Sequence, residues 1–147
     1  MRKWIILAVI LLLGAGAALL ATQNDQEKPE PPRPPIYQHL EATDAQAKMT
    51  ELTENGTDFI LLDVRTEAEF EEAHLPGATL LPLDDLAVKA PVRLPDQDAY
   101  IFVYCRSGYR SEQAALSLVG GGYRNVFDIG GIIDWPFEIV GELRGED

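Results

Sequence analysis

The fold is decided by the stretch Tyr100-Ile101-Phe102-Val103-Tyr104-Cys105-Arg106-Ser107-Gly108-Tyr109-Arg110-Ser111. Residues 100–104 are β-branched or aromatic, which is typical of a buried strand, and residues 111–119 predict a helix that ends at a run of glycines. The strand therefore places Cys105 at its carboxyl end, in a loop that leads into the helix. Ligands of open α/β sheets bind outside the carboxyl ends of the strands, so the stretch predicts a functional site as well as a strand.

Strands and helices alternate along the rest of the domain. A helix opens at Thr43, which we expect to be its cap, and Asn55-Gly56 ends it. The pattern then predicts a strand over 59–64, a helix over 66–72, a strand over 78–81, a helix over 82–88, a strand over 125–129 and a final short helix that begins at Gly130-Gly131 and contains Trp135. Such alternation predicts an α/β fold, with a mostly parallel sheet covered by helices on both faces.

The loop after the strand carries the features of a reactive cysteine. Backbone N–H groups and the helix dipole place partial positive charge beside Cys105, and Arg106 and Arg110 add full charges. Such a field favours the thiolate, which is the nucleophilic form of cysteine. Gly108 allows backbone conformations that a Cβ would forbid. The alternative, a cysteine that is only a small buried apolar residue, fits poorly beside two arginines and a glycine.

Composition excludes several classes of function. The chain has 147 residues with a net charge of −12, which disfavours nucleic acid and anionic lipid as partners. A single cysteine cannot form an intramolecular disulfide, and with only two histidines the sequence gives no support for a metal site.

The amino terminus has the pattern of an export or anchor segment. Arg2 and Lys3 precede an uncharged apolar run over 4–21, so we expect residues 1–22 to be a signal peptide or a transmembrane anchor. Residues 23–36 predict a proline-rich linker and residues 37–147 the folded domain. Both alternatives place the domain in the periplasm or cell envelope, with membrane contact only through the N-terminal segment.

Four motifs in register resemble the rhodanese family of single-domain sulfurtransferases. They are residues 105–111, Asp63-Val64-Arg65 with Glu69-Phe70, His74-Leu75-Pro76-Gly77-Ala78, and Gly130-Gly131 with Trp135. The resemblance covers about residues 37–142. It implies a rhodanese-like α/β fold with a central five-stranded, mostly parallel sheet, and a sulfurtransferase that carries sulfur on Cys105 without any cofactor.

The resemblance also implies roles for individual residues. Arg110 contacts an anionic sulfur donor or orients the loop, and Arg106 lies at the loop mouth. Asp63 needs a partner because it ends a buried strand, and Arg65 is the expected companion, or else a partner of Glu69. His74 holds a turn rather than acting as a base. The substrate-binding loop is completed by Ser107, Gly108, Tyr109 and Ser111.

The implied partners are a small anionic sulfur donor and an acceptor that is cyanide or a thiol, including a protein thiol. Two alternatives stay open: a non-catalytic sulfur carrier or redox-sensing module, and a phosphatase or arsenate reductase. Related phosphatases have one more residue in the loop, whereas four residues separate Cys105 from Arg110 here. The shorter loop disfavours the phosphatase, since a smaller ring of N–H donors suits a smaller anion.

Overall fold

A computed structural model of the protein describes residues 34–143. The predicted signal or anchor segment, residues 1–22, lies outside the described residues, as does most of the predicted linker. Within residues 34–143, no helix has the length and apolar character needed to cross a membrane.

The strands of the main sheet are β1 (Ile36–His39), β2 (Phe59–Asp63), β4 (Thr79–Leu80), β5 (Tyr100–Cys105) and β6 (Asn125–Gly131). They form one five-stranded sheet in the order β1-β6-β5-β2-β4, and every pair in it is parallel. The short strands β3 (Ala73–His74) and β7 (Val140–Gly141) form a separate antiparallel pair. The prediction of a five-stranded parallel sheet is therefore confirmed.

The helices are α1 (Ala42–Glu54), α2 (Glu67–Glu72), α3 (Leu83–Arg93) and α4 (Tyr109–Gly120). Two hydrophobic clusters form the core. Val103 and Leu62 belong to the cluster that contains residues of α3 and α4, and Phe102 and Leu61 belong to the cluster that contains residues of α1. Because successive side chains of a strand point to opposite faces, β2 and β5 are buried on both sides. This burial holds the carboxyl end of β5, and hence Cys105, in a rigid frame.

Several boundaries differ from the sequence predictions. β1 was not predicted because its side chains are mostly exposed and carry no buried-strand pattern, and it begins at Ile36, inside the predicted linker. Thr43 was expected to cap α1, but the helix begins one residue earlier and Glu41 occupies the cap position without a side-chain bond. α3 continues beyond the predicted end at residue 88 and includes Pro91.

The last predicted helix is also different. Gly130 and Gly131 are the final residues of β6, and a single turn of 3-10 helix (Ile132–Asp134) follows them. Trp135 comes directly after that turn and packs against the α1-side cluster. The sequence predicted that the helix begins at Gly130-Gly131 because these glycines follow the predicted strand. Pairing of Gly131 with Cys105 of β5 instead keeps them in the sheet.

Candidate active site

Cys105 is the last residue of β5, and only 1% of its surface is exposed. The chain then turns back over the sulfur, so that the Gly108 N–H donates to Cys105 Sγ with a nitrogen–sulfur distance of 3.1 Å. Gly108 has a φ of +99°, a left-handed conformation that favours glycine, and it is the residue immediately before α4. A backbone donor and a helix N-terminus therefore both face the thiol, as the sequence predicted.

Gly131 lets the loop lie close to the sheet. An added Cβ at Gly131 would overlap the Arg106 carbonyl oxygen and come within 2.6 Å of the Ser107 Cα. The pairing of β5 with β6 also shifts register between Val103 and Cys105, which redirects the chain as it leaves the sheet. The loop position therefore depends on the absence of a side chain on the neighbouring strand.

Arg110 binds Glu69 through two parallel hydrogen bonds. Its Nη1 and Nη2 atoms each lie 2.7 Å from a carboxylate oxygen of Glu69. Glu69 is itself held at the start of α2, where it and Thr66 form a reciprocal cap. Bonding to Arg110 lowers the pKa of Glu69 to about 2, against the opposing effect of burial. The guanidinium thus ties the Cys105 loop to α2. Of the two roles that the sequence left open for Arg110, this contact favours orientation of the loop.

Asp63 and Arg65 form a buried ion pair at the end of β2. Both side chains are almost fully inaccessible, and Arg65 Nη2 lies 2.7 Å from Asp63 Oδ2. Burial lowers the pKa of Arg65, but bonding to Asp63 outweighs that effect and the pKa is raised. The Tyr104 hydroxyl lies in the same cluster and accepts a hydrogen bond from the Leu75 N–H at 3.0 Å. Asp63 is thus the partner of Arg65, and the alternative pairing of Arg65 with Glu69 is wrong.

His74 holds the turn between α2 and β3 through two contacts with Phe70. Its Nδ1 is 2.8 Å from the Phe70 carbonyl oxygen, and its ring stacks on the Phe70 ring with centroids 4.0 Å apart.

Tyr109 is 71% exposed at the rim of the loop. The Arg106 carbonyl accepts a hydrogen bond from the Ile133 N–H, which ties the loop to the 3-10 turn.

Asp128 is the site residue that sequence reasoning missed. It lies in β6, is only 3% exposed, and its Oδ1 atom accepts from the Ser111 hydroxyl at 2.6 Å and the Gly130 N–H at 3.0 Å. Its Oδ2 atom lies 3.3 Å from the Tyr37 hydroxyl and from His39 Nδ1. An acidic residue inside an otherwise apolar strand was the available signal, because a buried carboxylate requires partners.

A cavity of about 500 Å³ lies beside the loop. It is lined by Ser107, Gly108 and Tyr109 of the loop, and also by Asp128 and His39. The part of the chain that the structure describes contains no cluster of acidic, histidine and cysteine side chains that could hold a metal ion. The site consists of a cysteine between a strand and a helix, with the Gly108 N–H donating to its sulfur.

The fold and the site together define an α/β protein with a cysteine in the short loop between a parallel strand and a helix. Comparisons with known proteins identify its family. The family model described as the rhodanese-like domain matches residues 41–136, which is more than half of the chain. The chain belongs to the rhodanese-like domain family.

Individual relatives agree with this assignment. A sulfurtransferase from Allochromatium vinosum is 39% identical over 79 residues, covering 53% of this chain and 72% of that protein. The thiosulfate sulfurtransferase PspE of Escherichia coli is 33% identical over 73 residues, covering 50% and 70% respectively. A putative sulfur carrier protein, YrkF of Bacillus subtilis, is 38% identical over 76 residues, which cover 51% of this chain but only 40% of the Bacillus protein.

Solved structures show the same fold. A rhodanese from E. coli, determined with anions, superposes with a TM-score of 0.54 at 29% identity and covers 58% of this chain and all of that one. A rhodanese-related protein from Thermoplasma volcanium gives a TM-score of 0.57 at 28% identity, covering 72% of this chain and all of that one. The family assignment and these relatives support a transferase of the rhodanese family.

Proposed function

We propose that the protein is a sulfurtransferase that accepts sulfane sulfur from a thiosulfate-like donor on Cys105 and passes it to a thiophilic acceptor. The observation that carries the proposal is the Gly108 N–H held 3.1 Å from Cys105 Sγ, in a loop with only four residues between Cys105 and Arg110. Such a donor stabilises negative charge on sulfur, whether that charge is on the thiolate or shared with an added sulfur atom.

The reaction has two displacement steps. The Cys105 thiolate attacks the outer sulfur of thiosulfate, an S–S bond forms to the protein, and sulfite leaves with the electron pair of the broken bond. Cyanide or a thiolate then attacks the outer sulfur of the persulfide, and the Cys105 thiolate leaves. The first step consumes the Cys105 thiolate and the second regenerates it. Neither displacement transfers a proton, so neither needs a general base, which agrees with the structural role of His74.

The donor's charge needs positive groups near the loop. Arg110 is bound to Glu69, and its side chain is still 31% exposed. We assign Arg110 chiefly to orientation of the loop, and the N-terminus of α4 with Arg106 to attraction of the anion. The outer sulfur of a persulfide lies ~2 Å beyond Sγ, so it is the atom that an acceptor meets although Cys105 itself is buried.

Two relatives bear on the choice of donor and role. The E. coli relative is named a thiosulfate sulfurtransferase, which supports thiosulfate as donor. The B. subtilis relative is named a putative sulfur carrier protein, which favours the alternative of a module that holds sulfur without turnover. A phosphatase is disfavoured by the short loop.

The test compares the native protein with Cys105→Ser. After treatment with thiosulfate, mass spectrometry should show one added sulfur on the native protein and none on the variant. Thiocyanate release with cyanide should be catalytic in the native protein and absent in the variant. Sulfur uptake without turnover would select the carrier, whereas hydrolysis of aryl phosphates without sulfur uptake would overturn both.

We further propose that the domain acts outside the cytoplasm, carried there by residues 1–22 as a signal or anchor and spaced from the membrane by residues 23–36. The basic start and uncharged run of the sequence support this placement. A reporter that works only in the periplasm, fused after Asp147, should be active, and a reporter that works only in the cytoplasm should be silent. The reverse pattern would overturn the topology.

A further inference from the structure

Strand β6 is connected to the Cys105 loop through two side chains. We propose that Asp128 is a positioning residue that acts through Ser111 to hold the Gly108 N–H toward the Cys105 sulfur. This inference rests on the proposed function, because it assigns a role in the reactivity of the same cysteine.

The connection consists of short contacts between buried groups. Ser111 Oγ lies 2.6 Å from Asp128 Oδ1 and 2.9 Å from the Gly108 carbonyl oxygen. The Gly130 carbonyl oxygen lies farther from the same hydroxyl, at 3.3 Å. A hydroxyl has one proton, so the two nearer oxygens, those of Asp128 and Gly108, are its main acceptors in a three-centre hydrogen bond. The carboxylate orients the hydroxyl, and the hydroxyl orients the carbonyl of the residue whose N–H faces the sulfur.

Such support is useful because glycine has no Cβ to restrict its backbone, and Gly108 is held at a φ of +99°. Its carbonyl also accepts from the Glu112 N–H at 3.1 Å, so the first turn of α4 and the Ser111 hydroxyl hold it together. A positioned donor loses much of its effect when its geometry loosens, even when the donor itself remains.

The carboxylate is itself anchored independently of the loop side chains. The Gly130 N–H donates to the same Oδ1 atom at 3.0 Å. On the other oxygen, Tyr37 and His39 make longer contacts of 3.3 Å each. The hydrogen bond to Ser111 is therefore the strongest that Asp128 makes. The longer contacts with Tyr37 and His39 restrict rotation of the carboxylate.

The test uses Ser111→Ala and Asp128→Ala, with Ser117→Ala as the matched control because Ser117 is exposed on the same helix. We expect both site variants to lower kcat for thiosulfate and the rate of Cys105 alkylation by iodoacetamide about 10-fold, with little change in KM. The control should change neither rate. Asp128→Asn should recover most of the loss, because its amide oxygen still accepts from Ser111 and Gly130 while its NH₂ faces Tyr37 and His39.

The two rates, and not the melting temperatures, separate this role from a merely structural one. Alanine variants that remain folded and keep both native rates would overturn the proposal, whatever their melting temperatures. Should they not fold, amide exchange in the native protein decides: a Gly108 N–H protected from exchange supports the proposal, and exchange at the rate of an unstructured peptide overturns it. The alkylation rate needs no sulfur donor, so failure of the proposed sulfur transfer is distinguishable from failure of this inference.

Discussion

Two buried carboxylates lie on the strands that flank β5, and they are stabilised in different ways. Asp63 ends β2 and is neutralised by the guanidinium of Arg65, two residues away. Asp128 lies in β6 and is bound by a hydroxyl, a backbone N–H, a phenol and an imidazole. One carboxylate is therefore paired with a guanidinium, whereas the other divides its interactions among donors other than Lys or Arg.

The different partners of Asp63 and Asp128 indicate what each carboxylate does for the site. The Asp63–Arg65 pair is closed, because Arg65 also donates to the Ala73 carbonyl and lies against the Tyr104 ring, and it stabilises the fold below the loop. Asp128, in contrast, accepts a hydrogen bond from Ser111 beside the loop and also lines the cavity. We therefore expect changes at Asp63 to affect stability first, and changes around Asp128 to affect reactivity first.

The largest effect is expected from Arg65→Met, which leaves Asp63 buried without its counter-charge. Breaking a buried pair by removing one partner costs about 3–5 kcal/mol of unfolding free energy. Urea denaturation should show that loss, and Arg93→Met, on an exposed position of α3, should show little change. A stability close to the native value would mean that Asp63 has other adequate partners.

The second-largest effect is expected from Gly131→Ala, which changes the position of the loop and leaves the Asp63–Arg65 ion pair intact. The new Cβ would overlap the backbone of Arg106 and Ser107 and displace the loop from β6. A displacement of ~1 Å costs on the order of 100-fold in rate, so sulfur transfer should fall by that factor. Gly120→Ala is the control, since its Cβ would meet nothing within 4 Å and activity should be retained. Equal activity in the two variants would show that close packing on β6 does not position the loop.

Glu69→Gln probes the other attachment of the loop and should lower stability by about 1 kcal/mol near pH 6. Because Arg110 lowers the folded-state pKa of Glu69 from 4.5 to about 2, its contribution is complete above about pH 4.5 and is lost as pH falls toward 2. Urea denaturation across that range should show the native protein converging on the variant at the acid end. Glu67→Gln, exposed on the same helix, should show no such convergence. A constant difference down to pH 2 would contradict the ion pair as its source.

The smallest effect is expected from Tyr37→Phe. It removes one of several donors around Asp128, and that contact is long at 3.3 Å, so the loss should be about 0.5 kcal/mol or less. Denaturation and the thiocyanate assay should both give values near those of the native protein. A loss as large as that of Arg65→Met would erase the distinction between the two carboxylates.

The parts of the site that are local in sequence were predictable. Cys105 ends a strand that is predicted by its β-branched and aromatic residues, and Gly108 precedes a helix within the same stretch. Asp63 and Arg65 are two residues apart, and the need of a buried acid for a partner made this pair one of the two that the sequence left open for Arg65. These features depend on strand pattern, loop length and near neighbours, which one sequence contains.

The tertiary structure alone decided which distant groups meet. Glu69 is 41 residues from Arg110, and Asp128 is 17, 89 and 91 residues from Ser111, His39 and Tyr37. The sheet order brings β1 and β6 together and places β6 beside β5, although β1 has no strand pattern of its own. Sequence alone therefore determined the candidate nucleophile, its loop and the class of fold. The groups that hold the loop were decided by parallel strand pairing, because pairing joins residues whose separation along the chain carries no periodic signal.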